Sequence, residues 1–202
     1  MAKKIIKVGL LGLGTVGAGV FKLLQMNGEQ IGRRAGARIE IKKILVRNEQ
    51  KKREVSVDSR LLTTDPLEVL HDPDIEIIVE LIGGVREARN YVEEALRHNK
   101  FVITANKDLM ATAGMELFSL AREKKLNIYY EASVGGGIPL IRPLKYSLGA
   151  NKIERIMGIV NGTTNYILTK MSLEGMDFDT ALAEAQAKGF AEQDPGNDLE
   201  GI

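Results

Sequence analysis

The sequence predicts an α/β protein built on a doubly wound parallel sheet, and three observations lead to this prediction. Residues 5–17 read IIKVGLLGLGTVG, an apolar run that breaks directly into Gly12, Gly14 and Gly17. Short apolar runs then alternate with longer amphipathic segments, which is typical of parallel strands joined by helical crossovers. The alternation stops at about residue 131, so we expect one domain at residues 1–132 and a second at residues 133–202.

The elements expected in the first domain follow this alternation. Each strand candidate is a short apolar run, and most helix candidates carry an apolar stripe at intervals of three or four residues. The strands are expected at Ile5–Leu11, Ile39–Val46, Ile75–Leu81, Phe101–Ala105 and Asn127–Tyr130, and the helices at Val16–Asn27, Pro66–Leu70, Arg86–Asn99 and Ala113–Lys125. The polar segment Gly28–Arg38 and the charged segment Asn48–Arg60 are expected to be loops.

The second domain is expected to be part of an α+β domain. It opens with a glycine-rich run at 134–139 that has the composition of a hinge or a ligand loop. The expected elements are a helix at Leu140–Leu148, a strand at Ile153–Val160, and helices at Gly162–Met171 and Phe178–Lys188. Asp177 is the expected N-cap of the last helix, and Gly189 is expected to cap its C-terminus.

Composition and charge exclude several classes of protein. The chain of 202 residues has a formal net charge of +1, which argues against the basic face that nucleic-acid binding requires. It contains no cysteine, so disulfides and thiolate metal sites are excluded, and we expect a reducing, cytoplasmic location. No apolar stretch reaches the ~18–20 residues that a membrane span needs, so no membrane partner is expected.

The first strand, its glycine loop and the following helix form the strongest functional signal. Gly12 allows a tight turn, Gly14 leaves room for a pyrophosphate, and Gly17 lets the helix pack close to the strand. The N-terminus of that helix offers unpaired N–H groups and the positive end of its dipole. We therefore expect a Rossmann-type dinucleotide-binding domain, and the alternative is a strand–turn–helix unit without a ligand.

Basic residues follow the second strand, where an NAD-binding protein usually carries an acidic residue for the ribose 2′-hydroxyl. Arg47 ends this strand, and Lys51, Lys52 and Arg53 come soon after it. Guanidinium and ammonium groups suit a 2′-phosphate, so NADP is favoured over NAD. The spacing from Gly14 is longer than the usual ~20 residues. A solvated basic loop is the alternative, and NAD as the cofactor stays open.

Further segments stand where a ligand is expected to bind. Gly83 and Gly84 follow one strand, and Thr104 to Lys107 end the next, so both segments border the crevice at the carboxyl ends of the strands. A lysine there binds cofactor or substrate or moves a proton, whereas a plain turn and a surface lysine are the alternatives. From composition alone, we expect residues 131–138 to be a hinge rather than a source of carbonyl ligands for a hard cation. We likewise expect residues 189–201, a run with four carboxylates, to be a solvated loop.

Taken together, these motifs resemble homoserine dehydrogenase over the whole chain. The similarity rests on GLGTVG at 12–17, VELIGG at 79–84, TANK at 104–107, EASVGGGIP at 131–139, NGTTNYI at 161–167 and AQAKGFAEQDPGNDLEG at 185–201. Members of this family interconvert L-homoserine and L-aspartate 4-semialdehyde with NAD(P). The resemblance therefore implies an oxidoreductase on the route to threonine, methionine and isoleucine.

The resemblance also implies roles for individual residues. Cofactor contacts are implied for Gly12, Leu13, Gly14, Thr15, Val16, Gly17, Arg47, Arg53, Gly83, Gly84, Thr104, Lys107 and Gly189. Glu192, Asp198 and Gly162 match residues of the substrate pocket, and Lys107 is also a supporting catalytic residue. The backbone carbonyls of Glu131, Val134, Gly136 and Ile138 match the sodium site of the family, which reverses the preference for a bare hinge.

The family pattern continues beyond the last residue of this chain. An aspartate and the proton-transferring lysine of the family would follow Ile202, so we expect an N-terminal piece that binds NADP and turns over slowly or not at all. The full-length protein is expected to be a homodimer, and apolar residues such as Ile153 and Ile156 are expected to be partly exposed. The alternatives are a non-catalytic NADP-binding module and another amino-acid dehydrogenase, and residues 189–201 argue against the latter.

Overall fold

The computed structural model describes residues 4–53, 55–158, 161–191 and 196. The chain divides into two compact units, Met1–Ser133 and Val134–Ile202. The division lies one residue from the boundary expected from the sequence. Within the described ranges, no helix combines the length and the apolar composition that a membrane span requires.

The first unit is a six-stranded parallel sheet with helices between its strands. The strand order is β3-β2-β1-β4-β5-β6, and every neighbouring pair is parallel. The strands are β1 (Ile5–Leu11), β2 (Arg38–Leu45), β3 (Leu62–Thr63), β4 (Ile75–Glu80), β5 (Phe101–Thr104) and β6 (Ile128–Tyr129), and the helices are α1 (Thr15–Ala35), α2 (Leu67–Leu70), α3 (Arg86–Arg97) and α4 (Lys107–Glu123). This architecture confirms the predicted α/β class and the doubly wound sheet.

The strand order reverses between β1 and β4, and this reversal positions the candidate site. The chain moves from β1 towards one edge of the sheet through β2 and β3, and β4 then begins the other half beside β1. The loops that follow β1 and β4 therefore diverge and leave a crevice at the carboxyl ends of the strands. Both glycine-rich loops of the sequence, at 12–17 and 83–84, lie at the carboxyl ends of these two central strands.

Apolar clusters cover both faces of the sheet. The larger cluster joins the strands to α3 and α4, and Ile78, Leu96 and Leu117 are almost fully buried in it. The second cluster packs Phe21 of α1 against residues of β1 and β2 that include Leu10. Burial on both faces explains why the strands read as nearly continuous apolar runs rather than as an alternating pattern.

The expectation of a loop over Gly28–Arg38 is wrong, because α1 continues to Ala35. The extension is a polar, solvated stretch of helix in which Arg33 forms an ion pair with Glu29 one turn earlier, at 3.4 Å. Gly36 ends the helix in the left-handed conformation, with φ of 68°. The charged residues of this segment therefore lie on the surface of a helix, and Gly36 ends that helix.

Helix α4 begins six residues earlier than expected from the apolar pattern. The side-chain oxygen of Asn106 accepts a hydrogen bond from the backbone N–H of Leu109 at 3.0 Å, so Asn106 is the N-cap. Lys107 is consequently the first residue of α4. The short strand β3 was also missed, because two residues carry no measurable periodicity.

The described part of the second unit contains helices and no strand. Its α-helices are α5 (Gly162–Glu174) and α6 (Phe178–Ala187), and the side chain of Asp177 accepts from the N–H of Thr180, which confirms it as the N-cap of α6. The segment 141–147 is helical, with a wider π-helical form at Pro143–Ser147. The strand expected at Ile153–Val160 is not formed over residues 153–158, because these residues have no hydrogen-bonded neighbour strand, and residues 159–160 lie outside the described ranges.

Candidate cofactor site

The loop after β1 is held between the ends of two neighbouring strands by Gly12. Its backbone N–H donates to the carbonyl of Leu45 at 2.9 Å, and its φ of 98° lies in the region that favours glycine. A Cβ atom at this position would lie 2.7 Å from the carbonyl oxygen of Leu81. The close approach of the β1 loop to the end of β4 therefore requires glycine, as the sequence motif predicts.

The third glycine of the motif lets α1 start directly against this loop. A Cβ atom on Gly17 would lie 2.2 Å from the carbonyl oxygen of Gly12, a distance that no side chain tolerates. Gly17 is buried, whereas Thr15 and Val16 in the same turn are exposed. The first turn of α1 is thus fixed against the sheet on one side and open to solvent on the other.

Gly14 differs from the other two glycines of the motif, because no contact within the described residues requires a glycine there. Its φ of −79° and ψ of −160° are extended backbone that any residue adopts, and an added Cβ atom would meet no heavy atom within 4 Å. It caps α1 without a side-chain hydrogen bond, and the first turn carries no acidic residue. The backbone N–H groups and the positive end of the helix dipole therefore face an open space of the kind that a pyrophosphate occupies.

A buried carboxylate that the sequence analysis passed over ties together the ends of β4 and β5. Glu80 has no exposed surface, and its two oxygens accept hydrogen bonds from the Thr104 hydroxyl at 2.6 Å and from the N–H of Ile82 at 3.0 Å. The Thr104 hydroxyl also accepts from the N–H of Asn106 at 3.0 Å. An acidic residue at the end of an apolar strand was the available signal, because such a group is buried only with partners.

The same network extends to the glycine pair after β4. The side-chain amide of Asn106 donates to the carbonyl of Gly84 at 2.6 Å, while its oxygen caps α4. Gly83 and Gly84 have φ of 72° and 69°, and added Cβ atoms would meet no neighbour, so backbone conformation rather than space explains the two glycines. The Thr104 side chain is occupied within this network, and its implied cofactor contact stays a prediction.

Lys107 stands at this edge of the sheet as the first residue of α4, and it is exposed. A cationic side chain at the N-terminus of a helix is placed against the positive end of the dipole, which typically costs a few tenths of a kcal/mol. The helix dipole therefore gives Lys107 no advantage at this position. The implied ligand-binding and catalytic role of Lys107 stays a prediction.

The two arginines expected at the 2′-phosphate are used differently. Arg47 follows β2 with a side chain that is 88% exposed and lies 3.7 Å from a carboxylate oxygen of Glu87. Arg53 donates three hydrogen bonds to backbone carbonyls of its own loop, those of Asn48, Glu49 and Lys51, at 2.6–3.1 Å. Arg53 thus organises the loop that carries Lys51 and Lys52, and the assignment of both arginines to a phosphate stays a prediction.

Of the four residues of the second unit that are expected at the cofactor or the substrate, two lie within the described ranges. Gly162 is the exposed first residue of α5, and Gly189 follows α6 with φ of 74°. The Thr163 hydroxyl donates to the carbonyl of Phe190 at 2.6 Å, which fixes the chain after α6 to the start of α5. Glu192 and Asp198 lie outside the described residues.

The four residues expected at a sodium ion are divided between the two units. Glu131 begins a 3₁₀ turn, Glu131–Ser133, at the end of the first unit. Val134, Gly136 and Ile138 belong to the second unit, where the N–H of Ile138 donates to the carbonyl of Gly135 at 3.1 Å. Gly135 and Gly136 both have positive φ. The sodium site stays a prediction.

Comparison with known proteins covers nearly the whole chain. A family model described as "Homoserine dehydrogenase, NAD binding domain" matches residues 12–131, and one described as "Homoserine dehydrogenase" matches residues 139–202. The homoserine dehydrogenase of Bacillus subtilis is 50% identical over 199 residues, which are 98% of this chain and 46% of the relative. The chain thus spans about half the length of the curated relatives it matches.

Solved structures agree with the sequence matches. A homoserine dehydrogenase from Thiobacillus denitrificans matches with a TM-score of 0.86 and 45% identity over 97% of this chain and 46% of its own. A hyperthermophilic archaeal homoserine dehydrogenase in complex with NADPH matches with a TM-score of 0.79 and 28% identity over 98% of this chain and 66% of its own. The glycine loop, the sheet order and these matches lead to one conclusion: the chain belongs to the homoserine dehydrogenase family.

Proposed function

We propose that this chain carries the NADP-binding part and a portion of the substrate-binding part of a homoserine dehydrogenase, which interconverts L-homoserine and L-aspartate 4-semialdehyde. The observation that supports this most is the open space over Gly14 at the start of α1, bordered by the ends of β1 and β4. The reaction is proposed from the family, and the open space over Gly14 is the reason to expect that the cofactor binds to this chain.

The residues at this edge fit a dinucleotide in their chemistry. Gly12 to Gly17 present backbone N–H groups to the pyrophosphate, and Gly83 and Gly84 allow backbone to approach the cofactor without side chains. When bound, the nicotinamide exchanges a hydride with the carbinol carbon of homoserine. Lys107 is proposed to contact cofactor and substrate from the start of α4, and Glu192, Asp198 and Gly162 to hold the substrate.

NADP is proposed as the preferred cofactor because of the charges that follow β2. Arg47 is almost fully exposed at the carboxyl end of the strand, and Lys51 and Lys52 are exposed on the loop that Arg53 organises. The described residues 46–53, which follow β2, contain four basic side chains and one acidic side chain, that of Glu49. The relative solved with NADPH is consistent with this preference.

Calorimetric titration with NADPH and NADH, alongside an assay of NADP-linked homoserine oxidation on the same sample, tests the proposal. NADPH is expected to bind more tightly than NADH, and Arg47→Gln is expected to remove most of that difference while NADH affinity stays unchanged. Tight binding of NADPH without turnover would indicate that this chain binds the cofactor but does not catalyse the reaction by itself. Absence of binding to either cofactor contradicts the proposal.

Gly14 and Gly17 offer a matched pair of variants for the same test. Gly14→Val should leave the free energy of unfolding within about 1 kcal/mol, because its Cβ atom meets no heavy atom of the described residues within 4 Å. It should abolish NADPH binding by filling the space proposed for the pyrophosphate. Gly17→Ala should cost about 2 kcal/mol or more through its collision with the Gly12 carbonyl. A Gly14→Val variant that binds NADPH normally would refute the proposed position of the pyrophosphate.

Two further features of the family, a homodimer and a sodium site, are proposed for this protein. Apolar side chains of the second unit, such as Ile156 at 58% and Met157 at 83% exposure, are consistent with a homodimer interface. Sodium at the carbonyls of Glu131, Val134, Gly136 and Ile138 rests on the matching sequence run alone. Light scattering, and activity in sodium against potassium buffers, test these two proposals.

A further inference from the structure

Both histidines of the chain lie together on the first unit, next to one glutamate. His71 caps the C-terminus of α2, and His98 caps the C-terminus of α3. Their rings are stacked with centroids 4.0 Å apart and an angle of 19° between the planes. Glu94, one turn before His98, directs a carboxylate oxygen to within 2.7 Å of Nε2 of His71 and 3.5 Å of Nδ1 of His98.

This cluster lies at the amino ends of the parallel strands, whereas the candidate cofactor site lies at their carboxyl ends. Helix α3 begins after the carboxyl end of β4 and runs back to the amino end of β5, so its last turn reaches the amino ends of the parallel strands. His71 precedes β4 and lies at the same edge. The loops that carry Gly12 to Gly17 and Lys107 follow the carboxyl ends of β1 and β5. The cluster is therefore independent of the cofactor-binding proposal.

Two imidazoles and one carboxylate are a donor set for a divalent transition metal ion. One ligand atom from each of the three residues lies within 4.8 Å of the other two. Zinc bonds of ~2.0–2.2 Å in tetrahedral geometry require ligand atoms about 3.3 Å apart. The ligand atoms must therefore approach one another, and the two stacked rings must turn out of their parallel arrangement so that a nitrogen of each faces the ion. The three side chains are 36–41% exposed, so an ion can reach the cluster from solvent.

The surroundings favour a cation at this place. Glu94 lies in the last turn of α3 and His98 caps its C-terminus, where the negative end of the helix dipole attracts positive charge. The ammonium of Lys100, a nearby cation in sequence, is directed away to the carbonyls of Asp72 and Ile75. The Asp72 carboxylate is paired with Lys42 at 2.7 Å and does not compete for the histidines.

We propose that His71, Glu94 and His98 form a binding site for a divalent transition metal ion of the zinc class, which links the end of α2 to the end of α3. Neutral imidazole nitrogen and a carboxylate are ligands that zinc, copper and nickel ions accept, whereas magnesium and calcium prefer oxygen alone. A bound ion replaces the hydrogen bond between His71 and Glu94 and holds both helix ends. It stabilises the first unit against unfolding because the unfolded chain lacks the assembled site.

Calorimetric titration of the untagged chain with zinc chloride tests this proposal, because the chain has no other imidazole and no thiol. One equivalent of zinc is expected to bind and to raise the thermal midpoint of the first unit, while magnesium does neither. His71→Gln, His98→Gln and Glu94→Gln should each weaken zinc binding by about tenfold or more. Glu76→Gln, which changes an exposed glutamate at the amino end of β4 outside the cluster, should leave it unchanged.

Nuclear magnetic resonance of the two imidazoles gives a second readout on the unmodified protein. Zinc should shift the ring resonances of His71 and His98 together at one equivalent, and the NADPH titration should be the same with and without zinc. Zinc binding that survives the double variant His71→Gln/His98→Gln, or ring resonances that stay unshifted at saturation, would overturn the proposal. Far-UV circular dichroism verifies that each variant is folded.

Discussion

The two compact units differ in how completely they bury their apolar side chains. In the first unit, Leu10, Ile78 and Leu96 have no exposed surface, and apolar clusters cover both faces of the sheet. In the second unit, the cluster of described residues contains Ile167 and three alanines, while Met157 and Leu173 are 83% and 80% exposed. A sheet with two faces buries large side chains, whereas a pair of helices packed through alanine buries much less apolar area.

This difference suggests that the two units have different sources of stability. The hydrophobic contribution scales with the apolar area removed from water, at about 25 cal/mol per Å². The first unit obtains this contribution from its own elements. The second unit obtains less of it, and its described helices are also joined by polar contacts, such as the hydrogen bond from the hydroxyl of Tyr166 to Glu184 at 2.8 Å and the ion pair between Lys188 and Glu184.

The largest expected effect is the loss of a core side chain from the first unit. Ile78→Ala removes a fully buried side chain between the sheet and two helices and should cost about 3–5 kcal/mol. Ile167→Ala in the smaller cluster should cost about 2 kcal/mol, because fewer neighbours surround the cavity. Chemical denaturation followed by circular dichroism measures both, with the exposed Leu173→Ala as control. Equal costs for the two isoleucines would remove the proposed difference between the units.

A smaller effect is expected from the buried carboxylate at the candidate site. Glu80→Ala should destabilise the first unit by about 2–3 kcal/mol, because the Thr104 hydroxyl and the Ile82 N–H lose their buried acceptor. Glu80→Gln keeps one acceptor oxygen and should cost less. The control is Thr163→Val, which removes the matching buried hydroxyl in the second unit. NADPH affinity should fall with Glu80→Ala and stay constant with Thr163→Val.

The smallest expected effect is a change in the acid sensitivity of each unit. Hydrogen bonds from Lys7 and then Lys42 lower the pKa of Asp74 from 3.8 to about 2. The stabilisation is complete above pH 3.8 and is lost as the pH falls towards 2, because the unfolded state takes up the proton first. Hydrogen bonds from Lys188 and Tyr166 likewise lower the pKa of Glu184 in the second unit.

Unfolding measured between about pH 5 and about pH 2 checks this prediction. The upper limit lies about one unit above the ordinary carboxyl pKa values. Asp74→Asn should flatten the loss of stability of the first unit with acid, and Glu184→Gln should do so for the second. Glu68 of α2, whose pKa is lowered by a hydrogen bond from Lys43, provides a comparison within the first unit. An unchanged pH profile in Asp74→Asn would show that its two lysine contacts contribute nothing to stability.

Much of the fold and part of the candidate site followed from the sequence. The apolar runs predicted five of the six strands to within one residue at each end, because burial on both faces leaves a continuous apolar signal. The glycine motif predicted the turn at Gly12 and the close packing at Gly17. The prediction failed at Gly28–Arg38, where a polar stretch continues helix α1, and over residues 153–158, where an apolar segment forms no strand.

By itself, therefore, the sequence determined the order of the elements, the place of the glycine loop and the family. Tertiary structure alone decided which polar groups meet. Glu80 joins Thr104 across two strands, and His71 meets Glu94 although 23 residues separate them. The physical reason is that periodicity and backbone conformation are local properties. Contacts between distant side chains depend instead on how the sheet and its helices pack.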